Sequence, residues 1–353
     1  MSRLQVAVTG AGGLVGSNLI DFLTGQGHSV VAVCRSRQAG DKPFAKDWND
    51  KGVRLAEADV NDLKSLIAAI EGVDVVVHAA AVVDPFGSRE LIFKTNVVGT
   101  RNAIAAAITN SVKQFILVSS LSVISGRKDQ FDTLEDAPYQ PCGEAYADSK
   151  IAAEEAVRAA IQNEGLPATI VRPGFIYGPR EKAWLPRLIN SIATGKAVLV
   201  DGGTKETNVI YVENLNRAIG ACLGQGVAIG QIYNLTDGPG ITKKQLFDAI
   251  STGLNLPPVR RVMPGALVRT FCECVSGVAP FLSVERQRQL ARYSKAAFRL
   301  VGQNQGFSIK KAERELGYVD RIPFAHGMAQ TLVYVSAEKS NSTAEPSPKV
   351  AAG

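Results

Sequence analysis

Long apolar runs are scarce in this 353-residue chain. The most apolar late stretch, Val262 to Leu282, is broken by Arg269 and Glu273, too polar in its middle for the roughly 20 apolar residues of a membrane-crossing helix. Cysteine is also sparse: Cys34, Cys142, Cys222, Cys272 and Cys274 show no ligand spacing and read as reduced thiols in a cytosolic setting. The three histidines sit in different segments, which leaves a metal site without support. No fixed-period repeat is visible, and the 33 glycines follow apolar runs instead of recurring regularly, excluding collagen-like and low-complexity sequence. Residues 1–8 run straight into an apolar strand pattern, so secretion is not expected and a cytoplasmic location is. The formal charge of +6 is spread along the chain among Asp and Glu, with no basic helix or stacked-aromatic module, so no nucleic-acid partner is expected.

What is present is alternation. Apolar runs at Leu4 to Thr9, Val30 to Cys34, Arg54 to Ala58, Val73 to His78, Phe115 to Ser119 and Ala168 to Arg172 read as strands. Between them, Ser17 to Gly25, Asp62 to Ile70, Leu91 to Asn110 and Tyr146 to Asn163 read as helices. This pattern predicts an α/β fold, a doubly wound parallel sheet of Rossmann type over 1–173, with ligands beyond the carboxyl ends of the strands. A smaller substrate-binding region is expected over 174–335, with 208–223 returning to the main sheet. Residues 336–353 lack periodicity and are expected to be disordered.

Thr9-Gly10-Ala11-Gly12-Gly13-Leu14-Val15-Gly16 joins the first strand to the first helix. Glycines there permit a tight turn, close approach of a pyrophosphate and close helix packing, while the helix N-terminus supplies N–H donors to the anion. The second strand ends in Arg35-Ser36-Arg37 where an acidic residue would favour a ribose 2′-hydroxyl. Positive charge there favours a 2′-phosphate, hence NADP(H) with NAD(H) as the alternative; the competing reading is that Arg35 and Arg37 are solvated loop residues. Asp59-Val60 after the third strand either meets the adenine or belongs to a helix cap formed by Asp59 or Asn61. Ala79-Ala80-Ala81 after His78 offers small side chains beneath a ribose or nicotinamide, or is tight core packing.

Tyr146 and Lys150 lie four residues apart on one helical face. A phenol, with a free pKa of about 10, becomes a proton-transfer group near neutrality if an ammonium lies beside it. Ser120 or Ser119, at the end of the fifth strand, is placed to bond a substrate oxygen, and Ser122 competes because the register is open.

Taken in order, the glycine turn, Asp59-Val60, His78 to Ala81, Asn96-Val97-Val98-Gly99-Thr100, Ser119-Ser120, Tyr146 to Lys150, and Arg172-Pro173-Gly174-Phe175-Ile176-Tyr177-Gly178-Pro179-Arg180 resemble the extended short-chain dehydrogenase/reductase superfamily over about residues 4–335. The resemblance implies that Tyr146 is the general acid/base, that Lys150 lowers its pKa and bonds the nicotinamide ribose, and that Ser120 orients the substrate. It also implies that Pro173, Gly174, Phe175 and Ile176 lie beside the nicotinamide and that Asn96 is structural or part of a proton relay. Tyr293-Ser294, Phe307-Ser308 and Lys311 to Tyr318 resemble the 3β-hydroxysteroid dehydrogenase and sterol-4α-carboxylate 3-dehydrogenase branch, from which Arg35 departs. A hydrophobic, steroid-like secondary alcohol or ketone is therefore the expected substrate. A sugar-nucleotide epimerase or dehydratase with bound NAD, or a non-catalytic dinucleotide-binding scaffold, are the rivals. Residues 262–299 read either as a lid over an apolar pocket or as a helix in a membrane interface. By analogy, a homodimer through 91–110 and 146–163 is expected.

Overall fold

The computed structural model describes residues 3–36, 45, 48–84, 87–290, 293 and 295–344. Its strands are β1 Gln5–Thr9, β2 Ser29–Cys34, β3 Arg54–Glu57, β4 Val75–His78, β5 Gln114–Val118, β6 Gln130–Thr133, β7 Ala168–Pro173, β8 Phe175–Tyr177, β9 Leu199–Val200, β10 Val209–Tyr211, β11 Ile232–Leu235, β12 Val262–Met263 and β13 Gln305–Phe307. Seven of them form one sheet in the order β11-β7-β5-β4-β1-β2-β3, every neighbouring pair parallel. The order reverses at β1 and β4, which opens a crevice at their carboxyl ends.

The first helices are α1 Leu14–Gly25, α2 Leu63–Ala69, α3 Arg89–Phe93, α4 Gly99–Thr109, α5 Ser122–Ser125, α6 Ala145–Glu164 and α7 Leu185–Ala193. They are followed by α8 Val212–Cys222, α9 Lys243–Gly253, α10 Gly265–Val278, α11 Val284–Leu290, α12 Lys295–Gly302, α13 Lys310–Leu316 and α14 Phe324–Ala344. Side chains alternate across the pleat, so one strand feeds two cores. Val6, Val8, Val30 and Ala32 pack with Leu19, Ile20 and Leu23 of α1 and Leu215 and Ile219 of α8. Ala7, Val31, Val33 and Val76 pack on the other face with Leu66, Ala103, Ala107 and Val157. That double burial is why these strands read as unbroken apolar runs.

Three sequence expectations change. The helix expected over 91–110 is interrupted by a π turn at Lys94–Val98, where Asn96 turns its side chain onto the backbone of Val82. Within 208–223, β10 pairs with β8 in a separate ribbon, and Ile210 of β10 and α8 pack on the main sheet without adding a strand to it. The strand that joins the main sheet is β11, beside β7, whose Ile-Tyr-Asn-Leu pattern is too short and mixed to stand out. Disorder was expected over 336–353; α14 covers that stretch as far as Ala344, anchored by buried Met328 and Leu332, and residues 345–353 lie outside the described residues. Ser336 donates to the Leu332 carbonyl at 2.9 Å, a bond compatible with the helix. Among the described residues no helix is long and apolar enough to cross a membrane.

Candidate active site

The glycine turn is built as its chemistry requires. Gly10 has φ +70°, and a Cβ there would stand 2.8 Å from the Cα of Ala80; at Gly16 a Cβ would stand 2.3 Å from the Gly10 carbonyl oxygen. The Gly13 N–H closes the turn on that same oxygen at 2.9 Å. Gly13 is also the N-cap of α1, so no side chain occupies the donors of the first helical turn. Backbone packed this closely, with a helix end aimed across the crevice, fits a dinucleotide pyrophosphate at Gly12 to Gly16.

Ala79 and Ala80 leave β4 directly against Gly10, and Ala81 follows them. Thr9 Oγ1 accepts from the Ala80 N–H at 3.2 Å and pairs with His78 Nδ1 at 2.9 Å. Because the Thr100 hydroxyl donates to the Asn96 carbonyl at 2.7 Å, it accepts from His78 Nε2, 3.2 Å away, so the network assigns the proton to Nε2. Burial, helped by the nearby Lys150 charge, drives the His78 pKa down to about 3. This histidine is a neutral strut between strands.

Arg35 is exposed immediately after β2, and Arg37 lies outside the described residues. Asp59 accepts from the Asn61 backbone at 2.9 Å and its side-chain amide at 3.0 Å. The cap of α2 is Asp62, which accepts from Lys64 N–H, so neither Asp59 nor Asn61 has that role. Val60 is buried against α4, where a Cβ on Gly99 would come within 2.8 Å of it.

At the reacting end, α6 starts at Ala145 just as the chain reaches the carboxyl end of β5. Tyr146 occupies the first turn and its phenol lies beside the Ser120 hydroxyl. Ser120 Oγ also accepts from the Ser122 N–H at 3.2 Å, which fixes its rotamer. One turn below, buried Lys150 donates from Nζ to the Val118 carbonyl at 2.8 Å. Burial lowers the Lys150 pKa to about 8 against the opposing pull of Glu154. Burial also raises the Tyr146 pKa, with the neighbouring Ser120 hydroxyl opposing. The expected depression of the phenol by the ammonium is therefore reversed here: Lys150 is tied to Val118, and desolvation dominates.

Ser119 is drawn elsewhere. Its hydroxyl donates to Glu154 Oε1 beneath the site, and the same carboxylate takes Arg172 Nε at 2.9 Å, Arg172 Nη2 at 2.6 Å and the Tyr139 hydroxyl at 3.0 Å. Ser122 is buried with no partner for its hydroxyl among the described residues. The structure thus brings together Tyr146, Ser120 and Lys150 and sets Ser119 apart as a support. Sequence reasoning missed Glu154, although Tyr146, Lys150 and Glu154 repeat at a spacing of four on one helical face. It also missed Ser149, which accepts from Asn96 Nδ2 at 2.9 Å and donates to the Tyr146 carbonyl at 2.7 Å. Asn96 thereby clamps the Val82 loop to the first turn of α6, a structural role.

At the end of β7, Pro173 accepts from Leu121 N–H at 3.0 Å, and Gly174 passes so close to Asn208 that a Cβ would lie 1.6 Å from its carbonyl oxygen. Phe175 N–H bonds that oxygen at 2.9 Å, and the Ile176 carbonyl takes Trp184 Nε1 at 2.8 Å. Further on, Arg180 binds Asp21 of α1 at 2.7 Å, tying this loop to the glycine-turn helix. Beside the reacting end, Gly126, Arg127, Glu144, Cys272, Phe298 and Arg299 line a small cleft under α10. Its wall is largely charged, with Arg299 paired to Glu144 at 2.6 Å.

A reversing parallel sheet, a glycine turn that fits a pyrophosphate, and a phenol, hydroxyl and ammonium at the carboxyl edge define a nicotinamide-dependent oxidoreductase acting on CH–OH groups. Residues 6–236 match the model of the NAD dependent epimerase/dehydratase family, and the chain belongs to that family. It is 27% identical over 333 residues to a 2-alkyl-3-oxoalkanoate reductase of Stenotrophomonas maltophilia, covering 92% of this chain and 97% of the relative. It is 27% identical over 345 residues to a 3-beta-hydroxysteroid dehydrogenase of Mycolicibacterium neoaurum, covering 94% of this chain and 91% of the relative. In fold it matches the UDP-glucose 4-epimerase of Thermotoga maritima, with TM-score 0.74 at 20% identity over 95% of this chain and 100% of that one.

Proposed function

We propose that the protein interconverts a secondary alcohol and a ketone on a hydrophobic molecule, with NADP(H) as the dinucleotide. The observation that carries the reading is the Tyr146 phenol beside the Ser120 hydroxyl, with buried Lys150 one helical turn away and held on the Val118 carbonyl. When bound, the nicotinamide supplies or accepts the hydride. Ser120 would hold the substrate oxygen, Tyr146 would exchange a proton with it, and the positive charge of Lys150, which would also hold the nicotinamide ribose, would favour the phenolate. Gly10 to Gly16 would hold the pyrophosphate, and Arg35 would supply positive charge for a 2′-phosphate.

Support for an apolar substrate comes from relatives named for 2-alkyl-3-oxoalkanoates and for 3-beta-hydroxysteroids. The charged wall at Arg127 and Arg299 favours a molecule that also carries a polar group over a bare hydrocarbon skeleton. Steroid ketones and 2-alkyl-3-oxo acids, each offered with NADPH and NADH and followed by absorbance of the reduced nicotinamide, test it. Net consumption of NADPH is expected. Conversion of a sugar nucleotide without net cofactor consumption would overturn the reading in favour of an epimerase. We also infer a homodimer through α4 and α6, supported by the exposed Leu91 and Val98 on the adjoining turns and checked by light scattering.

A further inference from the structure

We propose that the outer face of α10 and the turn after it docks on an anionic lipid bilayer. The helix is apolar on two sides. Its inner side, through Val268 and Cys272, packs with Val200, Phe298 and Val301, which satisfies the core. Its outer side nevertheless presents Leu267, Phe271 and Val278 at 62%, 52% and 55% exposure, and Phe281 follows at 87%. With exposed Cys274, these residues fall at spacings of four, three, four and three, so they stand on one line about 16 Å long across the helix itself. A soluble surface scatters such residues singly; a continuous ridge of this kind marks a contact. The Tyr293 ring lies edge-on to Phe271, with centroids 5.3 Å apart, adding an amphipathic aromatic at its margin.

The charges choose the occupant. Arg260 and Arg261 are exposed just before the ridge and Arg286 just after it, and Arg269 beside it lies over the inner Phe298 ring; Asp201, which accepts from the Gly265 N–H, Glu273 and Glu285 are the exposed acids nearby. Cations at both ends of an apolar ridge match lipid headgroups over acyl chains. A second copy packed antiparallel on the same ridge would set Arg260 and Arg261 of one copy near Arg286 of the other, an opposition of like charges. A helix of 14 residues carrying Arg269 and Glu273 lies on a bilayer and does not span it. Because the inner side of α10 lines the cleft beside Glu144, two residues before Tyr146, docking would set the cleft near the lipid. Only this last consequence rests on the functional reading above.

The test is flotation of the purified full-length protein with vesicles of phosphatidylcholine, with and without phosphatidylglycerol. Binding to the anionic vesicles that weakens with salt is expected. F271S/F281S should lose about tenfold or more of that binding, and R260E/R261E should lose a substantial part, each with an unchanged thermal midpoint. Turnover of a water-soluble ketone, measured separately, reports on the functional reading without touching this one. Absence of binding to either vesicle overturns the proposal, as does wild-type binding by the ridge variant. Equal binding to both vesicles overturns the anionic assignment, and a ridge variant whose only change is loss of a dimer assigns the face to a second copy.

Discussion

The ammonium of Lys150 donates to the main-chain carbonyl of Val118 at 2.8 Å, one helical turn below Tyr146. A lysine held this way is costly to the fold and useful to the site. Burial takes its pKa down to about 8, so near neutrality the protein carries a buried charge with one carbonyl partner and the more distant Glu154.

Removing that charge should therefore stabilise the protein while ending catalysis. Lys150→Met is expected to raise the unfolding free energy at pH 7 by about 1–3 kcal/mol in urea titrations. The folded pKa lies below the unfolded value of 10.5, so the unfolded chain binds the extra proton between about 8 and 10.5. Wild-type stability from this group rises with pH across that window, and the advantage of the variant should shrink there. An advantage that grows with pH would contradict the assignment.

Tyr146→Phe keeps the ring and removes only the hydroxyl that meets Ser120. Turnover should fall roughly 10²–10⁴-fold. Dinucleotide affinity, read by fluorescence of the bound reduced cofactor, should stay within a few-fold. Since burial holds the phenol above its ordinary range in this structure, activity should depend on bound dinucleotide and Lys150 to bring it down.

Glu154 is the shared acceptor of Arg172, Ser119 and Tyr139, with no exposure of its own. Glu154→Gln strands the buried guanidinium and should cost about 3–5 kcal/mol of stability. Ser119→Ala removes one donor and should cost about 1 kcal/mol. A far smaller kcat loss for Ser119→Ala than for Ser120→Ala would separate the supporting serine from the one that meets the phenol.

Arg35→Asp reverses the charge at the end of β2 without touching the core, because the side chain is exposed. The ratio of kcat/KM for NADPH over NADH should fall about tenfold or more. An unchanged ratio would show that Arg35 is only a solvated loop residue.

Much of this protein was legible from its residues alone. Strands such as Val30 to Cys34 are buried on both faces, so every position must be apolar and the run declares itself. The glycine turn is equally local, because the collision of a Cβ at Gly16 with the Gly10 carbonyl arises within seven residues of chain. Tyr146 and Lys150 share a helical face by spacing alone. What sequence could not decide is which groups meet across the fold. Only the parallel placement of β5 beside β7, under α6, brings Ser119 and Arg172 to one carboxylate and leaves Ser120 to the phenol. The same holds for β11, whose mixed residues gain their strand from a partner edge, and for α10, whose two apolar faces look alike until one is packed and the other is left to solvent. Local sterics and periodicity act along the chain, whereas burial and partnership are properties of places where distant segments arrive together.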